Sequence, residues 1–396
     1  MPNLSEEFNH LKLGELAGSK INDLAISRLN DLGWPNRRQE LWKYTDLSAM
    51  KKQDWNVVGL SSLQSPLPKG VTLEKITSFE GVQSVTGYEP AYPQQNSLFW
   101  LNQLIVEEGI LLKIPADTVV DEPVNLQVVA EIADQTFGAS MIAIEVGRGS
   151  KVSFVEAAPK NTQGALLSSA HMLVRESAKV EWVLLCDQSE SAIYSTNHSV
   201  WQEAHSEVSL FSIHASAKRA RYDLSSHMVG EQATCRLFGL YLGGADEHVD
   251  FHTALFHDKA YTFSEQLFKG ILTDKARSVF NGKVKIAQDA QKVDSSQLNK
   301  TLLLSKDAEV DSKPELEIYA DDVKAAHGAT IGQIEPEEVF YLQSRGLKKE
   351  KAIEMLAYGF VNDVIERIEA DSTREMAKSA VEEFVKNNVR RLGELY

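Results

Sequence analysis

Only two cysteines, Cys186 and Cys235, occur in 396 residues. They are too few for a disulfide framework and cannot by themselves supply a four-thiolate metal site. Positive charge is also short: 41 Lys and Arg stand against 56 Asp and Glu, a formal net charge of -15. That balance argues against a surface that wraps nucleic acid or lies on anionic lipid, because both need concentrated Lys and Arg. No stretch approaches the roughly 18 consecutive apolar residues that spanning a bilayer requires. The opening MPNLSEEFNHLKLGEL is interrupted by acidic residues and reads as neither secretory signal nor anchor. The expectation is a cytoplasmic protein with no nucleic-acid or membrane partner. Several catalytic signatures are missing as well: G-x-x-x-x-G-K-[ST], G-x-S-x-G, paired C-x-x-C and H-E-x-x-H.

What is present is an ordinary share of apolar residues, 43%, in a chain long enough for a large core. Residues 1–60 read as a helical region. Phe8, Leu11, Ile21, Leu24, Ala25, Leu29 and Leu32 fall at mostly helical spacings, suggesting two helices broken near Gly18 and a stop at Gly33. The following GWPNRRQELWKYTDL is dense in aromatic and basic residues. It suits either an anion-binding surface or a cap whose tryptophans, Trp34 and Trp42, cover a larger core, and the overall acidity favours the cap. Residues 61–109, with several prolines and many polar residues, read as a loop-rich linker.

From 110 to 335 the pattern becomes short alternating strands punctuated by Gly, Ser, Asp and Asn, and it repeats. Small residues at Ser150, Ala178, Ser206, Ala233 and Ala260 each lead a strand-like run, at nearly constant spacing. A period of that length fits a β-solenoid better than a sandwich, whose hairpins recur about every 8–12 residues. The register places Val152, Val180, Val208 and Cys235 in one internal column. Phe154, Trp182, Leu210 and Leu237 form the next. Each fully buried member is worth roughly 1.5–3 kcal/mol before its entropy cost. Both thiols then face the core and are inert.

The junction from Pro314 to Arg345 joins this region to residues 336–396, a C-terminal helical region. Leu316, Ile318 and Ala320 continue the strand alternation, which breaks at Asp321-Asp322 and resumes near Val323 beside His327. Pro336 and Glu337-Glu338 then suit a helix start. Ile353, Ala357, Phe360, Val361, Val364 and Ile368 form one apolar stripe, and Met376, Ala380, Phe384 and Val385 another. A break near Asp371-Ser372 separates the two helices.

One constellation has metal-ligand chemistry: His248, Asp250 and His252 alternate along one strand and share a face. Three ligands on one strand rarely converge without a further element, so an exposed polar face is the competing reading. His327 alone reads as a hydrogen-bonded structural histidine.

The runs DKARSVFNGKVKIAQDAQKVDSSQLNKTLLLS, AEVDSKPELEIYADDVKAAHGAT and EEVFYLQSRGL closely resemble the SufB/SufD family of iron–sulfur cluster assembly proteins. GWPNRRQELWKYTDL is similar to the N-terminal signature of its SufD branch. The resemblance covers nearly the whole chain. It implies a mainly β protein, a right-handed parallel β-helix flanked by helical regions, acting as a non-catalytic scaffold. The implied partners are SufB, joined through the end of the β-helix, and the ABC-type ATPase SufC, bound by the C-terminal helices. ATP hydrolysis would belong to SufC, and an isolated chain could self-pair as a homodimer. No stably bound cofactor is implied, only iron or an iron–sulfur cluster held transiently at the SufB interface. His327 matches the family's interface histidine, a candidate ligand for that cluster. Tyr341, Arg345 and Gly346 match its Y-L-x-S-R-G turn on the SufC side. One departure matters: family members read K-C-S-H-G where this chain has Lys324-Ala325-Ala326-His327-Gly328, so no thiol is offered here. The rival function is a polysaccharide-active β-helix enzyme, which would need acidic or basic catalytic side chains and aromatics in a cleft on the outer face.

Overall fold

The computed structural model describes residues 4–13, 23–60, 63, 67–76, 85–88, 95–106, 108–126, 132–158, 162–187 and 192–392. The chain winds between two parallel sheets, laying one strand in each per coil. Sheet A runs from Gly109–Ile114 through Thr136–Val146, Ala165–Val174, Ile193–Gln202, Arg219–Met228, His248–His257 and Arg277–Ile286 to Glu309–Ile318. Sheet B runs from Val124–Asn125 through Lys151–Ala157, Lys179–Asp187, Glu207–Ser216, Thr234–Gly243, Phe263–Leu272 and Asp294–Leu303 to Lys324–Gly332. The architecture is therefore a mainly β, parallel solenoid, as the repeat implies.

The strand register reproduces both internal columns. Val152 pairs with Val180, Val180 with Val208 and Val208 with Cys235, while Phe154, Trp182, Leu210 and Leu237 stack beside them. The fifth repeat sits two residues later than its spacing suggested. Cys235 pairs with Ser264, so Thr262 rather than Ala260 takes the leading position. The physical reason lies at the corner. In each coil the leading residue is buried and directly follows a left-handed residue: Gly149, Ser177, His205, Gln232, Tyr261 and Lys292 have φ between 59° and 67°. Tyr261, not Lys259, is the left-handed residue of its coil. The turn between His257 and Phe263 has simply lengthened.

Both outer faces are covered. On sheet A, Phe137, Ala139, Met141, Ala143 and Leu167 pack with Phe8, Leu11, Trp34, Trp42, Met50 and Trp55. The cover includes helix α1 (Asp23–Leu32), which Gly33 ends at φ 67°, and helix α2 (Ser97–Ile105), every residue of which is buried. Residues 61–109 are thus more than a linker. They also contribute Thr72–Ile76, an antiparallel neighbour of Gly109–Ile114. The surrounding prolines and serines hid the apolar run SLFWLNQLI, whose Asn102 amide donates to the Ser140 and Leu167 carbonyls at 3.0 and 2.8 Å. Glu6–Phe8 is only a 3-10 turn, and the break expected near Gly18 lies outside the described residues.

Sheet B is covered by the C-terminal helices. These are α3 (Pro336–Ser344), α4 (Lys349–Ile365) and α5 (Asp371–Leu392). Ile353, Ala357, Val361, Val364 and Ile368 pack on Phe211, Ile213, Phe238, Leu240 and Leu267. Two polar clamps fix the contact. The Lys269 ammonium, nearly buried, donates to the Phe360 carbonyl at 2.7 Å and to Asp363 at 2.8 Å. The Glu181 carboxylate accepts from the Glu369 and Ala370 amides at 2.7 and 3.1 Å.

Both cysteines are buried and free, and burial pushes each thiol up to about 12. Burial also holds five core histidines below their ordinary value: His171, His214 and His257 at about 3, His227 and His248 at about 4.

Two outcomes follow. A left-handed backbone costs an ordinary residue about 1–2 kcal/mol and a β-branched one more. Gln232→Val should therefore lose about 1–2 kcal/mol in urea unfolding, whereas Gln232→Gly should be neutral or stabilising. The histidines stay neutral when folded but protonate when unfolded, so the unfolded chain binds more protons between about pH 4 and 6.5. Stability should accordingly fall as pH drops through that window, by about 1–2 kcal/mol per buried histidine between pH 7 and 5. His171, with neither ring nitrogen partnered among the described residues, offers the check. Urea curves of His171→Leu should show a shallower pH dependence than those of the parent.

Candidate functional site: the open end of the solenoid

Every coil but the last buries its edge against the next. Glu309–Ile318 and Lys324–Gly332 end their sheets, each with a strand neighbour on one side only among the described residues. Their residues are exposed or half-buried along the whole length, where the preceding coils are largely buried. Ile318, Tyr319 and Ile331 expose 41%, 59% and 54% of their surface. An uncovered edge with apolar side chains is a template for another chain's strands.

His327 lies on this edge, exposed. It pairs in register with Gln297, and through Gln266 it continues the column of Leu237, Leu210, Trp182 and Phe154. Parity therefore sets the imidazole at the mouth of the interior. Ala325 continues the other column after Cys235, Ser264 and Ser295, half-buried and packed on the core. The position two residues before the histidine thus faces the same mouth and carries only a methyl group.

The rim is charged and largely paired. Lys313 contacts Glu40 of the N-terminal cover at 2.8 Å and Glu315 at 2.9 Å, and these carboxylates hold its ammonium well above the usual lysine range. Lys283 pairs with Glu317 at 2.7 Å, and Lys292 with Asp322. The mouth between these pairs keeps His327.

Helix α3 follows directly after the edge strand, with Pro336 in its first turn. Val339 is its one buried residue, while Phe340 and Tyr341 are 70% and 57% exposed. The structure brings Tyr341, Arg345 and Gly346 together. The Arg345 guanidinium lies 5.3 Å from the centre of the Tyr341 ring and donates to its hydroxyl at 3.3 Å, and Gly346 at φ 92° ends the turn in open space.

His248, Asp250 and His252 are neither a metal site nor an exposed face. All three are buried beneath the N-terminal cover. The Thr45 hydroxyl donates to Asp250 Oδ2 at 2.5 Å, so at 2.8 Å from His248 Nε2 it must accept the imidazole N–H. Arg221 donates to Asp250 at 2.7 Å, to the Leu41 carbonyl at 2.8 Å and through two nitrogens to Asp223 at 2.9 Å, and its Cζ lies over the Trp42 ring, 4.6 Å from the ring centre. His252 Nε2 lies 3.0 Å from Asp250 Oδ1. Burial alone would push the Asp250 carboxyl up, but Arg221 and then His252 outweigh it and hold the group well below the usual carboxylate range. Among the described residues no group of three His, Cys, Asp or Glu side chains is arranged to hold a metal. This network is a latch for Trp42 and its neighbours. Only the alternation Arg221-x-Asp223 could have hinted at it, because nothing local tells which strand face a segment some 200 residues away will cover.

A family model described as "SUF system FeS cluster assembly, SufBD core domain" matches residues 129–360, the coils from Thr136–Val146 onward together with α3 and most of α4. The chain is 42% identical to the iron-sulfur cluster assembly protein SufD of Escherichia coli over 161 residues, which is 41% of this chain and 38% of that protein. It is 34% identical to SufD of Bacillus subtilis over 145 residues, 37% of this chain and 33% of that one. An iron-sulfur cluster assembly SufBD family protein of Synechocystis matches at 26% identity over 88% of this chain and 86% of its own length. The family match spans more than half of the chain and runs along the same coils that the strand register defines, so the protein belongs to the SufBD family of the SUF iron–sulfur cluster assembly system.

Proposed function

We propose that the protein is a SufD-like scaffold subunit in iron–sulfur cluster assembly, joining a SufB-type solenoid at its open end and a SufC-type ATPase through its C-terminal helices. The observation that carries this reading is the bare last coil with His327 at its mouth. A homologous solenoid can pair with both end strands at once, extending the two ladders and closing the mouth over the histidine. Iron or a nascent cluster, as cargo, would then sit in a site walled off from water. Imidazole is a competent borderline ligand for iron. With Ala325 beside it, the soft thiolate ligands must come from the partner.

The outer sheet faces, where a polysaccharide-active β-helix would carry its cleft, are packed beneath the N-terminal cover and the C-terminal helices among the described residues. Helix α3 supports the ATPase contact: Phe340 and Tyr341 project from it, and Arg345 offers a planar donor set stacked on an aromatic ring. The polar clamps at Lys269 and Glu181 would pass a push on the helices into sheet B.

Co-expression with SufB and SufC from the same source and affinity purification should recover a three-protein complex. His327→Ala should leave that complex intact and lower its iron content or cluster formation in cells severalfold. Unchanged cluster formation would remove the ligand role. Removing residues 336–396 would strip the cover from sheet B, so point variants are the sounder test of the ATPase contact. Tyr341→Ala with Arg345→Glu should weaken SufC binding at least tenfold, about 1.4 kcal/mol, without changing the unfolding curve. A calorimetric affinity equal to the parent's would place the contact elsewhere.

A further inference from the structure

The column that ends at His327 changes character along its length. Phe154, Trp182, Leu210 and Leu237 are followed by Gln266, Gln297 and then the imidazole. Gln266 is half satisfied: its Oε1 accepts from the Thr253 hydroxyl at 2.7 Å, while its buried Nε2 has no partner among the described residues. Gln297 has none. It is 3% exposed, and neither its Oε1 nor its Nε2 meets a hydrogen-bond partner among the described residues. Its amide spans the interior to Gly282 on sheet A, where a Cβ would stand 2.0 Å from Nε2. The absence of a side chain at Gly282 makes the room for it.

A buried amide with both ends unpaired is costly, and the preceding coils show that an apolar residue fits this column. Hydroxyl groups nearby are already engaged: Ser264 with Ser295 at 2.8 Å, and the Asn299 amide with Ser312 at 3.2 Å. In the same column free hydrogen-bonding capacity lies on both sides: the unpartnered Gln266 Nε2 one coil back, and His327 one strand spacing towards the mouth, about 4.8 Å between backbones. A glutamine side chain spans that distance, and leaving Gly282 breaks no hydrogen bond.

We propose that Gln297 is the positioning residue for His327: its Oε1 accepts the ring N–H of the imidazole, fixes the tautomer and aims the other nitrogen's lone pair out of the mouth at the metal. Metal-binding histidines nearly always need such an acceptor behind them, and the described rim carboxylates Glu315, Glu317 and Asp322 are each engaged with a lysine. The inference rests on the ligand role given to His327 above.

The test uses the full chain labelled with 15N-histidine, with zinc as a diamagnetic substitute for ferrous iron, and compares Gln297→Leu, Gln297→Glu and His327→Ala. The His327 ring signals are identified by their loss in His327→Ala. In the parent the zinc-loaded His327 ring should be a single tautomer. Gln297→Leu should mix the tautomers and raise the zinc concentration for half-saturation at that ring about tenfold, while its urea midpoint stays level or rises. Gln297→Glu, which keeps an acceptor, should restore both values. Equal tautomer ratios and equal zinc titrations in the parent and Gln297→Leu would overturn the positioning role, even if His327 binds zinc. If His327 takes up zinc in none of the variants, the ligand reading itself fails. The tautomer ratio still decides Gln297, because an unchanged ratio in Gln297→Leu rules out the bond.

Discussion

A parallel ladder satisfies a strand only from both sides, and a solenoid built from such ladders must stop somewhere. In this chain the first coils are finished by the N-terminal cover and by the antiparallel strand Thr72–Ile76. The last coil has no such finish, so its backbone donors and acceptors are the one large unmet demand in the described fold. The exposed Ile331, the exposed His327 and the paired charges around them are arranged about that demand. Belonging to a family of assembly proteins is consistent with the long exposed edge at the end of the described coils.

The interior follows the same polarity. Near the middle of the solenoid the columns hold Trp182, Leu210, Tyr222 and Phe251, the last two stacked at 4.3 Å. Towards the open end they give way to serines, glutamines and asparagine. Tyr241 marks the change: its ring lies where Gly270 has no side chain, and its hydroxyl reaches Asn299 and Thr301 at 2.8 and 2.6 Å. Stability is therefore concentrated away from the mouth.

Much of this was legible in the sequence, and the limits have physical causes. Val152, Val180, Val208 and Cys235 could be stacked from spacing alone because each coil pairs in parallel only with its immediate neighbours, which carries the period straight into space. Spacing alone misplaces the leading residue by two at Ala260, where the corner lengthens and only the left-handed residue marks the turn. It could not find α2, whose apolar residues lie between prolines and polar runs. Nor could it interpret His248, Asp250 and His252, because the partners that make them structural, Thr45 and Trp42, come from a distant part of the chain. His327 could be singled out, but its neighbour Gln297 gains meaning only from the register. In each case local pattern sufficed where coil met adjacent coil and failed where remote segments meet.

The latch on the outer face of sheet A has a consequence for synthesis. Thr45 bonds His248 at a sequence separation of 203, so its docking ground does not exist when it leaves the ribosome. Trp42, whose ring the Arg221 guanidinium covers, must wait while the coils up to Arg219–Met228 are translated. During that interval the nascent chain presents the kind of aromatic segment that holdase chaperones bind. The speed of elongation through the repeats, rather than the strength of the finished latch, then sets how long the newborn protein is vulnerable to aggregation.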